Sequence, residues 1–277
     1  MAINLANPVN WQHPLNRGLV SRWCALGSPV ASGQYWRDLT NRYNGTLTNA
    51  PVWQTTRAPG ASPAITCSSG ADSRVDCGNI TQLNGVTYAS IAAWVYRAST
   101  GETAGFGRAS SSTVGLDRFS IIWYTDGNVY VNVDTGAGAA YGYVALSGTG
   151  WHHIAIIYDG SLSGWSRTKV YIDGVYTSWV ATSSTPPSTL PSTSGAYAFG
   201  RDSTNRATSG AYDCGAVWAR ALSDDEVYRE YTASKSGYLG VLNHVKRNPL
   251  IYQPAAGSFK VAWARNANTI IQPLVSA

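Results

Sequence analysis

One stretch, residues 150–174, constrains the fold more than any other part of the chain. Its sequence is GWHHIAIIYDGSLSGWSRTKVYIDG. Residues 153–158 and 168–172 are runs of β-branched and aromatic residues with the length of β-strands. The pairs Asp159-Gly160 and Asp173-Gly174, which follow the two runs, tolerate positive φ in turns. The stretch therefore predicts two neighbouring antiparallel strands.

Composition agrees with a protein built from many short strands. The 277 residues include 28 Gly, 17 Tyr and 11 Trp, and only 13% of the residues are charged. Glycine-rich turns between aromatic strands are typical of β-sandwiches.

Helical signals are scarce, and the clearest one starts at Ser223. Ser223 and Glu226 have the spacing of a capping box, and the intervening aspartates lie at the positive end of the helix dipole. We expect Val227, Tyr228 and Tyr231 to form the apolar side of this short helix.

Further segments occur in the order of one known family. They are GLVSRW (18–23), YWRDLT (35–40), YNGTLT (43–48), RVDCG (74–78), YASIAAWVY (88–96) and GAYDCGAVWARALSDDEV (210–227). Together with residues 150–174 they resemble the laminin-G-like, concanavalin-A-like jelly-roll family over about residues 18–231. The resemblance implies an all-β fold, a two-sheet antiparallel jelly-roll sandwich with one short helix. It implies little about activity, since the group includes lectins, glycosidases, adhesion modules and phage structural proteins.

We divide the chain into an N-terminal extension (1–17), a sandwich (18–234) and a basic, aromatic C-terminal arm (235–277). The whole net charge of +5 lies in residues 231–277, which contain five basic residues and no carboxylate. The arm is too apolar for a solvated tail. It is expected either to wrap its own sandwich or to add a strand to a neighbouring subunit. The residues predicted to bind a partner are Lys246, Arg247, Tyr252, Phe259, Lys260, Trp263 and Arg265.

The four cysteines do not predict a zinc site, because they are too dispersed along the chain. Cys67 and Cys77 could face each other across a hairpin. Cys24 and Cys214 fall in the family's first and last strands, which are neighbours in that fold. Disulfides between either pair stay open, and buried free thiols are the default for a chain made in a cytoplasm.

The resembled family often holds one calcium ion near the rim of the sandwich. The residues here that match its ligands are Asp38 and Asp213. Calcium takes six to eight oxygens, so backbone carbonyls and water would have to supply most of the ligands.

The inventory of reactive groups argues against an enzyme. The only glutamates are Glu102, Glu226 and Glu230, two of them in the predicted helix, and the E-x-D-x-x-E motif of the family's glucanases is absent. His152 and His153 are adjacent on a predicted strand, so they point to opposite faces.

A binding role has more support from the aromatic residues in or beside predicted loops. These are Tyr124, Tyr130, Tyr141, Tyr143, Trp165, Tyr176 and Trp179. Among them, Trp165, Tyr176 and Trp179 are our candidates for stacking on a glycan.

The sequence-based hypothesis is a non-enzymatic structural or decoration protein of a phage-like particle. The chain has no predicted signal peptide and no apolar run of 18 residues, so we expect assembly in a host cytoplasm into a virion, or alternatively an extracellular location. The arm would anchor the sandwich to a capsid protein or to sister subunits in a homo-oligomer. The alternative is a carbohydrate-binding adhesion module that binds a surface glycan. No membrane or nucleic-acid partner is expected.

Overall fold

A computed structural model describes residues 8–24, 35–57, 63–108, 118–134, 138–201, 206–236, 238 and 241–243. In this part of the chain, short strands dominate and one α-helix follows them. The strands are β1 (Leu19–Trp23), β2 (Tyr35–Trp36), β3 (Gly45–Thr48), β4 (Val52–Arg57), β5 (Pro63–Cys67), β6 (Arg74–Asp76), β7 (Tyr88–Arg97), β8 (Ala104–Arg108), β9 (Phe119–Trp123), β10 (Asn128–Asp134), β11 (Ala139–Ala145), β12 (Gly150–Asp159), β13 (Thr168–Ile172), β14 (Val175–Thr177), β15 (Ala181–Ser183), β16 (Tyr197–Phe199) and β17 (Gly210–Trp218), and the helix is α1 (Asp224–Lys235).

The strands form two antiparallel sheets that face each other. The eight-stranded sheet has the order β14-β13-β12-β7-β17-β5-β4, and β1 also pairs with the C-terminal half of β17. The nine-stranded sheet has the order β15-β11-β10-β9-β8-β16-β6-β3-β2. This arrangement confirms the predicted two-sheet sandwich with one α-helix.

The hairpin predicted from residues 150–174 is present. β12 and β13 pair from Ile154 opposite Ile172 to Tyr158 opposite Thr168. The next turn has φ of 52° at Asp173 and 79° at Gly174, as the sequence indicates. Gly160, by contrast, does not have positive φ. A β-carbon there would lie 1.9 Å from the carbonyl oxygen of Ser188, so close chain approach explains this glycine.

A main core fills the space between the sheets. Alternate residues of each strand point into it, for example Val129, Val131 and Val133 of β10 and Ile91 and Val95 of β7. Burying each such side chain stabilises the fold by about 1.5–3 kcal/mol. Because successive side chains of a strand point to opposite faces, one face of each strand packs into this core.

A second core covers the other face of the eight-stranded sheet. Trp94 of β7, Ile157 of β12 and Trp218 of β17 point outward into it. Residues from both ends of the described chain pack over them: Val9, Leu15, Val227, Tyr238, Val241 and Leu242. Parts of the N-terminal extension and of the C-terminal arm therefore pack on the predicted sandwich (18–234).

A buried ion pair ties this second core to the first strand. The Nη1 and Nη2 atoms of Arg22 donate to the two carboxylate oxygens of Glu230 on α1 at 2.6 and 3.0 Å, and both side chains are at most 1% exposed. The Tyr238 hydroxyl donates to the same carboxylate at 2.7 Å, and its ring lies 4.3 Å from the Arg22 guanidinium. Burial would raise the pKa of Glu230, but the charge of Arg22 and these hydrogen bonds hold it below its ordinary 4.5.

Helix α1 confirms the predicted capping box and corrects its predicted apolar side. Ser223 and Glu226 cap each other as the sequence indicates. Val227 is buried and Tyr231 packs against the second core, as predicted, whereas Tyr228 is 53% exposed and Glu230 is buried instead. Positions three and four residues apart share a helix face, so Glu230 follows Val227 into the core and Tyr228 does not.

The four cysteines are free and buried. β1 and β17 are neighbours, as expected. Cys24 directly follows Trp23 of β1, and Cys214 directly precedes Gly215, the residue of β17 that pairs with Trp23. Cys67 ends β5 in the eight-stranded sheet, while Cys77 follows β6 in the nine-stranded sheet. The expected hairpin between Cys67 and Cys77 is therefore wrong, because the chain crosses from one sheet to the other between them.

His152 and His153 point to opposite sides of β12, as predicted. His152 is partly exposed and its Nδ1 lies 2.8 Å from the Asp173 carboxylate. His153 is fully buried beside the rings of Trp94 and Tyr231. Burial lowers the pKa of His153 to about 4. The ring is therefore neutral in the folded protein at neutral pH.

We predict that replacing Glu230 by Gln lowers the free energy of unfolding by about 3–5 kcal/mol, because it leaves the Arg22 charge buried without a counterion. Asp225→Asn is the matched control on the same helix, since it removes only the exposed pair with Arg229 and costs less than about 1 kcal/mol. Urea denaturation of the three proteins measures the difference. Equal small losses in the two variants would contradict a stabilising role for the buried pair.

We also predict that stability falls as the pH drops from 6.5 toward 4. The unfolded chain binds a proton at His153 near pH 6.5, whereas the folded protein binds it only near pH 4. Stability from the neutral ring is thus complete above pH 6.5 and is lost on acidification, by up to about 3 kcal/mol. His153→Phe keeps the ring contacts and is expected to flatten this part of the stability curve. Denaturation midpoints at pH 7 and 4.5 test it, and parallel curves for the two proteins would refute it.

Candidate functional site

An aromatic cleft lies on the outer face of the nine-stranded sheet, across β9, β10 and β11. Val129, Val131 and Val133 of β10 point into the main core, so Tyr130 and Asn132 between them point outward. Tyr130 pairs with Ile122 on β9 and with Tyr143 on β11, and Asn132 pairs with Tyr141. The resulting concavity of about 490 Å³, called here the tyrosine cleft, is lined by Ile122, Tyr124, Thr125, Asp126, Tyr130, Asn132, Tyr141 and Tyr143.

Tyr130 stands at the centre of the tyrosine cleft. Its ring centroid is 5.2 Å from that of Tyr124, 5.0 Å from that of Tyr143 and 6.4 Å from that of Tyr141. These are distances of packed aromatic pairs. Tyr141, at the outer side of this group, is 41% exposed. The neighbouring rings hold each other in place, and Tyr141 offers an accessible apolar surface.

A carboxylate forms the polar end of the cleft. Asp126 accepts hydrogen bonds from the Asn128 backbone N–H at 2.9 Å, the Asn128 amide at 3.0 Å and the Tyr130 hydroxyl at 2.8 Å. Partial burial would raise the pKa of Asp126, but these hydrogen bonds bring it below its ordinary value. Burial and the bond to Asp126 raise the pKa of Tyr130 to about 12. At neutral pH the cleft therefore holds an anionic acceptor whose orientation is fixed.

This arrangement suits binding more than catalysis. Aromatic faces can contact C–H groups of a ligand, and the exposed Asp126 carboxylate can accept hydrogen bonds from hydroxyl groups. Glycoside hydrolysis usually requires two carboxyl groups about 5–10 Å apart. Asp126 is the one carboxylate among the described residues that line the cleft.

Two of the predicted stacking residues come together elsewhere. Trp165 and Trp179 pack edge to face with centroids 4.9 Å apart. Both rings cover Gly142 of β11, where a β-carbon would lie 2.9 Å from Trp179 and 3.0 Å from Trp165. Gly142 lies between Tyr141 and Tyr143, so the two indoles pack on the opposite face of β11 from the cleft.

The third predicted stacking residue, Tyr176, lies on the other sheet. It is 46% exposed on the edge strand β14, where its ring packs against Tyr171 and lies near the Lys169 ammonium. The structure therefore does not bring Tyr176 together with Trp165 and Trp179.

Three of the four cleft tyrosines show a spacing in the sequence that indicates a shared surface. In Tyr130-Val131-Asn132 and Tyr141-Gly142-Tyr143 the large polar-tipped residues are two positions apart. On a strand such residues share one face. Assigning both triplets to strands instead of loops would have placed these side chains on a common surface.

The predicted calcium ligands do not have the geometry of a cation site. The Asp38 carboxylate accepts hydrogen bonds from the backbone N–H groups of Arg22, Thr40, Arg42 and Tyr43 and from the Thr40 hydroxyl, at 2.7–3.0 Å. Donor hydrogens thus occupy the oxygens that calcium would need. Asp213 is buried and accepts from the Cys214 N–H at 2.7 Å. In the described ranges no three His, Cys, Asp or Glu side chains converge on one point. Calcium binding here stays a prediction that the geometry does not support.

The arm residues predicted to bind a partner lie outside the described residues. This applies to Lys246, Arg247, Tyr252, Phe259, Lys260, Trp263 and Arg265. Within the described ranges, no helix is both long enough and apolar enough to cross a membrane.

Several solved structures share the fold at low sequence identity. The botulinum neurotoxin serotype D/C binding domain aligns with a TM-score of 0.57 and 13% identity, over 79% of this chain and 53% of the toxin domain. Botulinum neurotoxin type C, whose cell entry depends upon interaction with two ganglioside molecules, aligns with a TM-score of 0.56 and 12% identity. The alignment covers 79% of this chain and 52% of the toxin chain. A Trypanosoma rangeli sialidase aligns with a TM-score of 0.54 and 14% identity, over 80% of this chain and 33% of the enzyme. The chain thus spans about a third of the sialidase and half of the toxin domains.

Sequence comparison identifies the family. No curated protein matches the chain. The profile of the concanavalin A-like lectin/glucanases superfamily, in its laminin G form, matches residues 69–228, which is more than half of the chain and includes β7 to β17. The chain therefore belongs to the concanavalin A-like lectin/glucanases superfamily.

Proposed function

We propose that this protein is a carbohydrate-binding module that holds a surface glycan in the tyrosine cleft. The observation that carries the proposal is the cleft itself, in which four tyrosines and an oriented carboxylate share one exposed face. Its volume of about 490 Å³ lies in the range of small-molecule binding sites.

The chemistry of the cleft matches the two kinds of surface that a sugar presents. A pyranose ring has apolar C–H faces and a rim of hydroxyl groups. Tyr141 and Tyr143 would stack on a C–H face, while the exposed Asp126 carboxylate would accept hydrogen bonds from the rim. Because the tyrosines are already packed against one another, little side-chain freedom is lost on binding.

The fold relatives are consistent with this proposal. The superfamily is described as lectins and glucanases, and the type C toxin interacts with gangliosides. At 12–14% identity these proteins share the fold, so the likeness supports a glycan ligand only by analogy. The residues of the cleft carry the proposal for this chain. We infer a binding role without catalysis.

Attachment to a virion through the C-terminal arm stays a second proposal, supported by the arm's positive charge and aromatic composition. A truncation that tests attachment must keep the chain as far as Asn243. Tyr238, Val241 and Leu242 are buried in the second core, so a cut after Tyr231 would also remove part of the fold.

We predict that Tyr141→Ala and Tyr143→Ala each weaken glycan binding by about tenfold or more, as truncation of a central aromatic contact does. Binding to a glycan array, followed by titration calorimetry with the best oligosaccharide, measures the loss. Tyr35→Ala is the matched control, because Tyr35 is 55% exposed at the other end of the same sheet.

Unchanged affinity in both cleft variants would refute the proposed site. Loss of binding in Tyr176→Ala, with the cleft variants intact, would place the glycan on β14 instead.

A further inference from the structure

We propose that the tyrosine cleft selects uncharged saccharides and rejects glycans that carry a carboxylate or sulfate next to the bound ring. This inference rests on the proposed function and names the class of glycan. It is carried by the charge distribution in the cleft.

A ligand in the cleft would meet a negative charge. Asp126 is exposed at the turn between β9 and β10 and forms one end of the cleft. Its three hydrogen-bond donors stabilise the ionised carboxylate. An anionic substituent on a bound sugar would therefore face a negative charge.

Among the residues that the structure describes, no basic side chain lines the cleft to offset this charge, although Arg97 of β7 interacts electrostatically with Asp126. None of the eight described residues that line the cleft is Lys or Arg. Recognition of carboxylate, sulfate or phosphate groups relies on Arg and Lys.

Two arginines come near the ends of β9, Arg97 from the other sheet and Arg118 just before the strand, and both are already engaged. Arg97 is buried, donates to the carbonyl oxygens of Tyr124 and Gly148, and stacks on Trp123 at 4.3 Å. Arg118 lies at the end of the β9–β10 hairpin away from Asp126 and is 3.8 Å from the Asp134 carboxylate. Neither guanidinium lines the cleft.

The cleft offers hydrogen-bond acceptors to a neutral sugar. The Asp126 carboxylate has lone pairs beyond those used by Asn128 and Tyr130, and the Tyr130 oxygen can accept while its proton points to Asp126. Both are acceptors for sugar hydroxyl groups, and a hydrogen bond to a carboxylate is stronger than a neutral one. The same charge that repels an anion thus favours a hydroxyl-rich, uncharged ligand.

The test is a glycan array that carries neutral oligosaccharides together with their sialylated, sulfated and glucuronate-bearing counterparts. We expect the neutral member of each bound pair to bind at least about tenfold more tightly. Asp126→Asn is expected to weaken the binding of neutral glycans by about tenfold. It is also expected to reduce the difference in affinity between the neutral and the anionic member of each pair. Asp126→Lys is expected to favour the anionic member. Asp225→Asn, an exposed carboxylate on α1, is the control and is expected to change neither.

The possible failures are distinguishable. Tighter binding of anionic glycans, or a preference for neutral glycans that Asp126→Asn and Asp126→Lys both leave unchanged, would overturn this inference and leave the proposed function standing. Failure of the folded protein to bind any glycan on the array would overturn both. Thermal melting of each variant confirms that the sandwich is intact.

Discussion

The buried ion pair between Arg22 and Glu230 holds α1 and Tyr238 against β1, on the covered face of the eight-stranded sheet. It joins β1 to α1 under the ring of Tyr238, where the two charges have no access to water. Around it, segments from both ends of the described chain pack over Trp94 and Trp218. The central strands of the eight-stranded sheet, β12, β7 and β17, are thus buried on both faces, whereas Tyr176 on the edge strand β14 is 46% exposed. A lost counterion would weaken this second core while leaving the contacts of the main core in place.

The nine-stranded sheet has the opposite arrangement. Its inner side chains, such as Phe106, Ile121 and Val131, belong to the main core, and none of its residues belongs to the second core. Its outer face is accessible only in part: Ser120 and Ile122 of β9 are 1% exposed, whereas Tyr141 of β11 is 41% exposed. Residues two positions apart on a strand share a face. Tyr130 and Asn132 of β10 and Tyr141 and Tyr143 of β11 therefore form one surface. The location of the cleft follows from the pleat and from the covering of the other sheet.

Much of this fold can be predicted from the sequence, because its signals are local. The strands of residues 150–174 and the Ser223–Glu226 capping box depend on neighbouring residues and are present as expected. The burial of Glu230 depends on Arg22, which is 208 residues away. No periodicity in the helix indicates that partner.

The candidate site was only partly predictable for the same reason. Its tyrosines were recognisable as aromatic residues in or beside predicted loops, but Trp165, Tyr176 and Trp179 were the residues chosen for stacking on a glycan. The difference lies in packing: Trp165 covers Gly142 from the inner side, and Tyr176 sits on an edge strand of the other sheet. Aromatic content indicates stacking capacity, and only the sheet order shows which rings share a surface.

The most direct measurement of the central claim is an NMR titration of the labelled protein with the neutral oligosaccharide that binds it best. Amide shift changes are expected to cluster in residues 122–132 and 141–143, with little change in α1 and β14. Changes centred on β14 or on Trp165 and Trp179, with the tyrosine cleft unaffected, would contradict it.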